Sequence, residues 1–154
     1  MNEKLTKDHS TIINKLKEIS FYIQEKIDNR NQGGPWDNEP DKFSFIDEVT
    51  KLECIILRSK LGSLCGYVVF PEGKDLDIDS LEVQGGVTYS NYNSLCDNKY
   101  CIGFDCAHYS DWSPYMMSRL FANEVNATYK DIEFVKAECI KLAKQLYDLR
   151  ESKK

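Results

Sequence analysis

Residues 52–70 read LECIILRSKLGSLCGYVVF. Two apolar runs, 52–59 and 64–70, flank the short segment Lys60-Leu61-Gly62-Ser63. Short runs of Ile, Val, Leu and Tyr broken by a glycine turn predict a β-hairpin. Downstream, 81–89 (LEVQGGVTY) and 99–107 (KYCIGFDCA) predict a second strand pair, joined by the polar loop 90–98. The acidic, turn-rich segment 71–80 connects the two pairs.

Two amphipathic helices bracket these strands. Over residues 8–30, Ile12, Leu16, Ile19, Ile23 and Ile27 recur three or four apart, the spacing of one helix face. Asn31, Gly33, Gly34 and Pro35 stop that helix. Over residues 128–150, Ile132, Val135, Cys139, Leu142, Leu146 and Leu149 repeat the pattern. Thr128 and Asp131 stand at capping-box spacing ahead of it. Ser113-Pro114 signals a short helix running to about Ala122. The expected fold is α+β: a single domain over residues 1–154, with an antiparallel sheet of about four strands. Both long terminal helices are expected to pack on one face of that sheet.

Composition narrows the function classes. The formal net charge of −5 argues against a nucleic-acid backbone as partner, because phosphate contacts need clustered Lys and Arg. A pocket with two or three cations for one small anion stays open. No apolar run approaches the roughly 20 residues that span a bilayer, so no membrane partner is expected. MNEKLTKDHS lacks the apolar stretch of a signal peptide, which implies a reducing, intracellular setting. All six cysteines are then expected as free thiols. There is no CxxC pair and there are only two histidines, so no metal and no cofactor is expected.

Three segments could carry chemistry. The loop 33–42, GGPWDNEPDK, joins an indole to three carboxylates on a chain stiffened by two prolines. Trp36 offers a stacking face, and Asp37, Glu39 and Asp41 can accept hydrogen bonds. The same residues suit a core plug with solvated acids equally well. In Val83-Gln84-Gly85-Gly86-Val87-Thr88-Tyr89, paired glycines mark a bulge or a close backbone approach. In Gly103-Phe104-Asp105-Cys106-Ala107-His108, strand alternation sends Phe104 and Cys106 to the core and Asp105 to the opposite face. His108 follows at the strand end, with Asp111 and Trp112 beyond it. Asp105, His108 and Asp111 could form an acid–base or metal constellation, although such spacing is common by chance. Cys106 on the apolar face is a poor nucleophile.

Taken together, these motifs resemble a family of small, uncharacterised proteins encoded by bacteriophages and prophages. Its Gly-Pro-Trp-Asp-x-Glu-Pro-Asp loop is matched at 34–41 and its Leu-Cys-Gly-Tyr-Val strand at 64–68. Its His-Gly-Gly-Leu-Thr-Tyr turn is matched with two changes at 84–89. Its Gly-Phe-Asp-Cys-Ala-His-x-x-Asp segment is matched at 103–111, and its Thr-Tyr-x-Asp-x-x-x-Val-Lys-x-Glu helix at 128–138. The resemblance spans roughly residues 34–146. Gln84 replaces the family's turn histidine, and segment 71–80 lacks its His-Pro pair. Glutamine hydrogen-bonds but does not move protons near neutral pH.

The resemblance implies a phage accessory protein in the cytoplasm of an infected or lysogenic bacterium. Such a protein could sequester a nucleotide-derived immune signal without catalysis. The ligand-binding residues would be Trp36, Asp37, Glu39, Gln84, Thr88, Tyr89, Asp105, His108, Asp111 and Trp112, with Arg58 as the cation. One alternative is a hydrolase acting on a similar ligand through Asp105 and His108. Another is a structural or interaction domain whose aromatic residues bury against a partner or a second copy.

Overall fold

The computed structural model describes residues 9–21, 34–115 and 127–154. Helix α1 covers residues 9–21. Five strands follow: β1 (Lys42–Ile46), β2 (Glu53–Arg58), β3 (Leu64–Val69), β4 (Tyr89–Asn93) and β5 (Lys99–Asp105). Helix α2 (Ile132–Ser152) closes the chain. The strands form one antiparallel sheet in the order β1-β2-β3-β5-β4. The fold is therefore α+β, with five strands where about four were expected.

The β2–β3 hairpin forms where its sequence placed it. Gly62 turns the chain at a φ of 90°, a conformation that costs glycine little. β5 brings Phe104 and Cys106 into the main core and leaves Asp105 half-buried on the other side, as alternation required. The core lies between the sheet and α2, where Val135, Cys139, Leu142 and Leu146 meet Cys54, Ile56, Val68, Ile102 and Phe104. Gly66 on β3 allows this close packing. A Cβ there would collide with the Phe104 ring and the Cys139 sulfur. A smaller cluster of Ile55, Val69, Cys96 and Cys101 lies apart from this core, with Tyr67 and Tyr89 against it.

Several expectations need correction. β1 went unrecognised because Lys-Phe-Ser-Phe-Ile is short and sits at the sheet edge, where only Phe43 and Phe45 are half-buried. The predicted strand 81–89 is irregular up to Tyr89, with a turn at residues 84–85: Gly85 and Gly86 take φ values of 67° and 84°, which end any regular strand. The strand lies instead in Tyr89-Ser-Asn-Tyr-Asn93, a polar edge sequence that reads as loop. Segment 71–80 holds two 3-10 turns, Pro71–Asp75 and Ile78–Ser80. The stripe of α1 does not pack on the sheet: Ile12, Leu16 and Ile19 are exposed. Ile23 and Ile27 lie outside the described residues, as does most of the short helix expected after Pro114.

The cap and the cysteines also differ. Asp131, not Thr128, caps α2, accepting from the Phe134 N–H at 2.9 Å. Cys96 and Cys101 form a disulfide, with Cα atoms 7.0 Å apart. The 3-10 turn Ser94–Cys96 and the left-handed residues Asp97 and Asn98 fold the chain back and set Cys96 against β5. Cys54, Cys65, Cys106 and Cys139 are free.

Candidate functional site

The expected site residues fall into two clusters, joined by the segment that leads into α2. The first is built around Arg58 at the end of β2, whose side chain is 4% exposed. Its Nε donates to Asp41 Oδ1 at 2.8 Å and its Nη2 to Glu39 Oε1 at 3.3 Å. Its Nη1 donates to the Gly62 carbonyl and to the Tyr129 hydroxyl, both at 2.9 Å. The Tyr129 hydroxyl in turn donates to Glu39 Oε1. Glu39 Oε2 accepts from the Ile132 N–H at 2.7 Å, so this carboxylate also satisfies the first turn of α2. Burial opposes the charge on Arg58, but its bonds to Tyr129, Asp41 and Glu39 outweigh that and keep it cationic. Burial, then the bond to Glu39, pushes the Tyr129 phenol up, so it stays neutral. Trp36 meets the Tyr129 ring edge-on at 5.0 Å.

This cluster locks the 34–41 loop to the β2–β3 hairpin and to α2. Trp36, Glu39 and Arg58 are all engaged within the protein. Asp37 is exposed on the 3-10 turn Pro35–Asn38.

The second cluster surrounds Asp111, whose side chain is 0% exposed. Oδ1 accepts from Gln84 Nε2 at 2.9 Å and lies 3.2 Å from Lys130 Nζ. Oδ2 accepts from the His108 N–H at 3.1 Å and lies 3.3 Å from His108 Nδ1. A carboxylate only accepts, so this contact assigns the Nδ1 proton to the imidazole. Burial alone would raise the Asp111 carboxyl. The His108 N–H, Lys130 and Gln84 outweigh it and hold the group below its usual value.

The chain approaches this carboxylate from three sides. Gly85 sits under the imidazole, where a side chain would strike the His108 ring. Thr128 bridges Asp111 in parallel, with Thr128 N–H on the Ser110 carbonyl at 2.9 Å and Trp112 N–H on the Thr128 carbonyl at 2.7 Å. Asp105 Oδ1 lies 3.5 Å from His108 Nδ1, and both side chains are 34% exposed. It also accepts from the Ala107 N–H at 3.0 Å.

Gln84, Asp105, His108 and Asp111 thus meet, while Trp36, Glu39 and Arg58 meet elsewhere. Of the rest, Thr88 is exposed beside β5, Tyr89 packs edge-on against Tyr67 at 5.6 Å, and Trp112 is half-buried. Sequence reasoning missed Tyr129 and Lys130. Neighbours in the chain, they reach into different clusters, Tyr129 to Arg58 and Glu39 and Lys130 to Asp111. Both lie inside the Thr-Tyr-x-Asp segment, whose local pattern signals only a helix start.

Cys106 faces the core, and its thiol is pushed well up, by burial first and by Asp111 second, so it is not a nucleophile. Cys65 is pushed up to about 11, by burial and then by Asp105. Among the described residues, no group of three or more His, Cys, Asp or Glu side chains is placed to hold a metal ion. No helix among them is long and apolar enough to cross a membrane. Comparison of the chain with family models, with curated proteins and with solved structures gave no match.

Proposed function

We propose that this chain binds a small nucleotide-derived molecule at the end of β5 and holds it without converting it. The observation that carries the reading is the Asp111 carboxylate. Buried and ionised, it fixes His108, Gln84 and Lys130 from three separate segments, next to the half-exposed Asp105. Polar groups positioned in advance on a rigid sheet are what a small-ligand site needs.

The roles follow from the chemistry of each group. Asp105 accepts from ligand hydroxyls or a base edge. Arg58 is held by Glu39, Asp41 and Tyr129, and Lys130 by Asp111 and Thr128, so Lys130 offsets the Asp111 charge and neither cation is set aside for a phosphate. His108 recognises polar ligand atoms beside them. The exposed Tyr109 and the half-buried Tyr89 supply flat faces near the same strand end. The phage-family resemblance adds the biological setting, in which such binding would withdraw an immune signal from its receptor.

Gln84 supports binding over catalysis. It takes the place of the family's turn histidine and gives its amide proton to Asp111, and an amide does not relay protons near neutral pH. One observation favours a hydrolase as the second reading: a buried carboxylate against the Nδ1 of a half-exposed imidazole also orients a general base.

A panel of cyclic and ADP-ribose-type nucleotides separates the two. The protein is incubated with the panel, the free ligands are quantified, and the complex is heated to release what it held. The proposal expects depletion followed by recovery of intact ligand. A converted product would favour the hydrolase, and no depletion would remove both readings for that panel.

A further inference from the structure

A surface far from Asp111 carries a different inference. Between β1 and α2 runs a groove of about 490 Å³, lined by Phe43, Phe45, Ile46, Val49, Lys136 and Ile140. Its aliphatic walls face solvent: Val49 is 78% exposed, and Ile46 and Ile140 are exposed as well. The same chain carries a second exposed apolar surface among the described residues. Along α1, Ile12, Leu16 and Ile19 form one stripe with Ile13 beside it, and every described residue of that helix is exposed. An amphipathic helix laid in an apolar groove, anchored at positions three and four apart, is a recurrent mode of recognition.

We propose that the groove is occupied by α1 of a second copy of this chain, and that the exchange is reciprocal. Among the described residues α1 does not cover the groove, and both apolar surfaces are exposed. Their charges also match: Lys15 borders the α1 stripe and Glu48 borders the groove, while Glu18 on α1 can answer Lys136. The thirteen residues of α1 span about 20 Å, enough to lay Ile12, Leu16 and Ile19 along the groove. Two-fold symmetry then buries two helices in two grooves, doubling the area toward the roughly 800 Å² per partner of a stable interface.

The test is light scattering and sedimentation equilibrium on the full chain, with Leu16→Asp and Ile140→Asp as variants. Both positions are exposed in the single chain, so circular dichroism and the melting temperature of dilute protein verify folding. The wild type is expected at twice the 17.8 kDa chain mass. Each variant is expected to weaken the dimer by at least ~tenfold, the effect of losing a central interface anchor. A monomeric wild type overturns the proposal, including the case in which α1 folds onto its own groove. A dimer that survives Ile140→Asp but not Leu16→Asp also overturns it, because α1 would then be pairing with α1.

Discussion

Asp111 shows how one buried carboxylate can organise a polar cluster drawn from three segments. Its folded-state carboxyl sits below the usual value, so its contribution to stability is fully present above about pH 4, the unfolded-chain value. That contribution is lost as pH falls through the lower folded value. Urea midpoints at pH 7 and pH 3 should therefore drop more in the wild type than in Asp111→Asn, which has no titrating group there. Equal drops would mean that Asp111 does not hold the cluster. Arg58 gives a second residue-scale prediction. Truncating one partner of a buried ion pair costs about 3–5 kcal/mol, so Arg58→Ala should lower unfolding stability by that order. A loss under about 1 kcal/mol, read by denaturant titration, would show that the latch of Glu39, Arg58 and Tyr129 contributes little. The sequence marked Trp36, Glu39 and Arg58 as unusual but left their partner unnamed. Tyr129 lies 90 residues from Glu39, and no local pattern links the two.

At the scale of elements, periodicity worked where burial is one-sided and failed at edges. β2, β3, β5 and α2 bury a continuous face, and their apolar spacing made them legible. β1 is a short edge strand with only Phe43 and Phe45 on its inner face, β4 is an edge strand with polar residues on both faces, and each is held by pairing with β2 or β5. The α1 stripe was legible too, but its period specifies an apolar face and not the surface that covers it. Leu142 on α2 is fully buried in the main core. Burying a leucine is worth roughly 1.5–3 kcal/mol and a carboxylate there would go unpaired, so Leu142→Asp should abolish cooperative thermal unfolding. A melting temperature equal to wild type would refute the packing of α2 on the sheet. The β4–β5 connection makes a chemical prediction. Alkylating denatured, unreduced protein should modify the four free cysteines, and all six after reduction. Six additions without reductant would mean that Cys96 and Cys101 are not joined.

For the whole molecule, the sheet brings the turn at 84–86 and the strand end at 105–111 into one place, while the loop at 34–41 is tied in through Tyr129. The sequence placed Gln84 beside Asp105 and His108 by pairing a strand at 81–89 with 99–107, whereas the contact of Gln84 with Asp111 is made from the turn at Gly85 and Gly86 that replaces that strand. The part played by Lys130 was not legible, because it depends on where α2 begins, and the capping signal at Thr128 set that start three residues early. The central claim is that Asp105 at this convergence contacts a nucleotide-derived ligand. It is tested most directly by measuring retention of a depleted panel nucleotide by wild-type protein and by Asp105→Ala, with melting temperature as the fold control. A hydrogen bond to a charged group is worth about 1.5–3 kcal/mol, so Asp105→Ala should weaken retention roughly ten- to hundredfold at an unchanged melting temperature. Retention equal to wild type in a folded Asp105→Ala protein, or no nucleotide retained by the wild type, would contradict it.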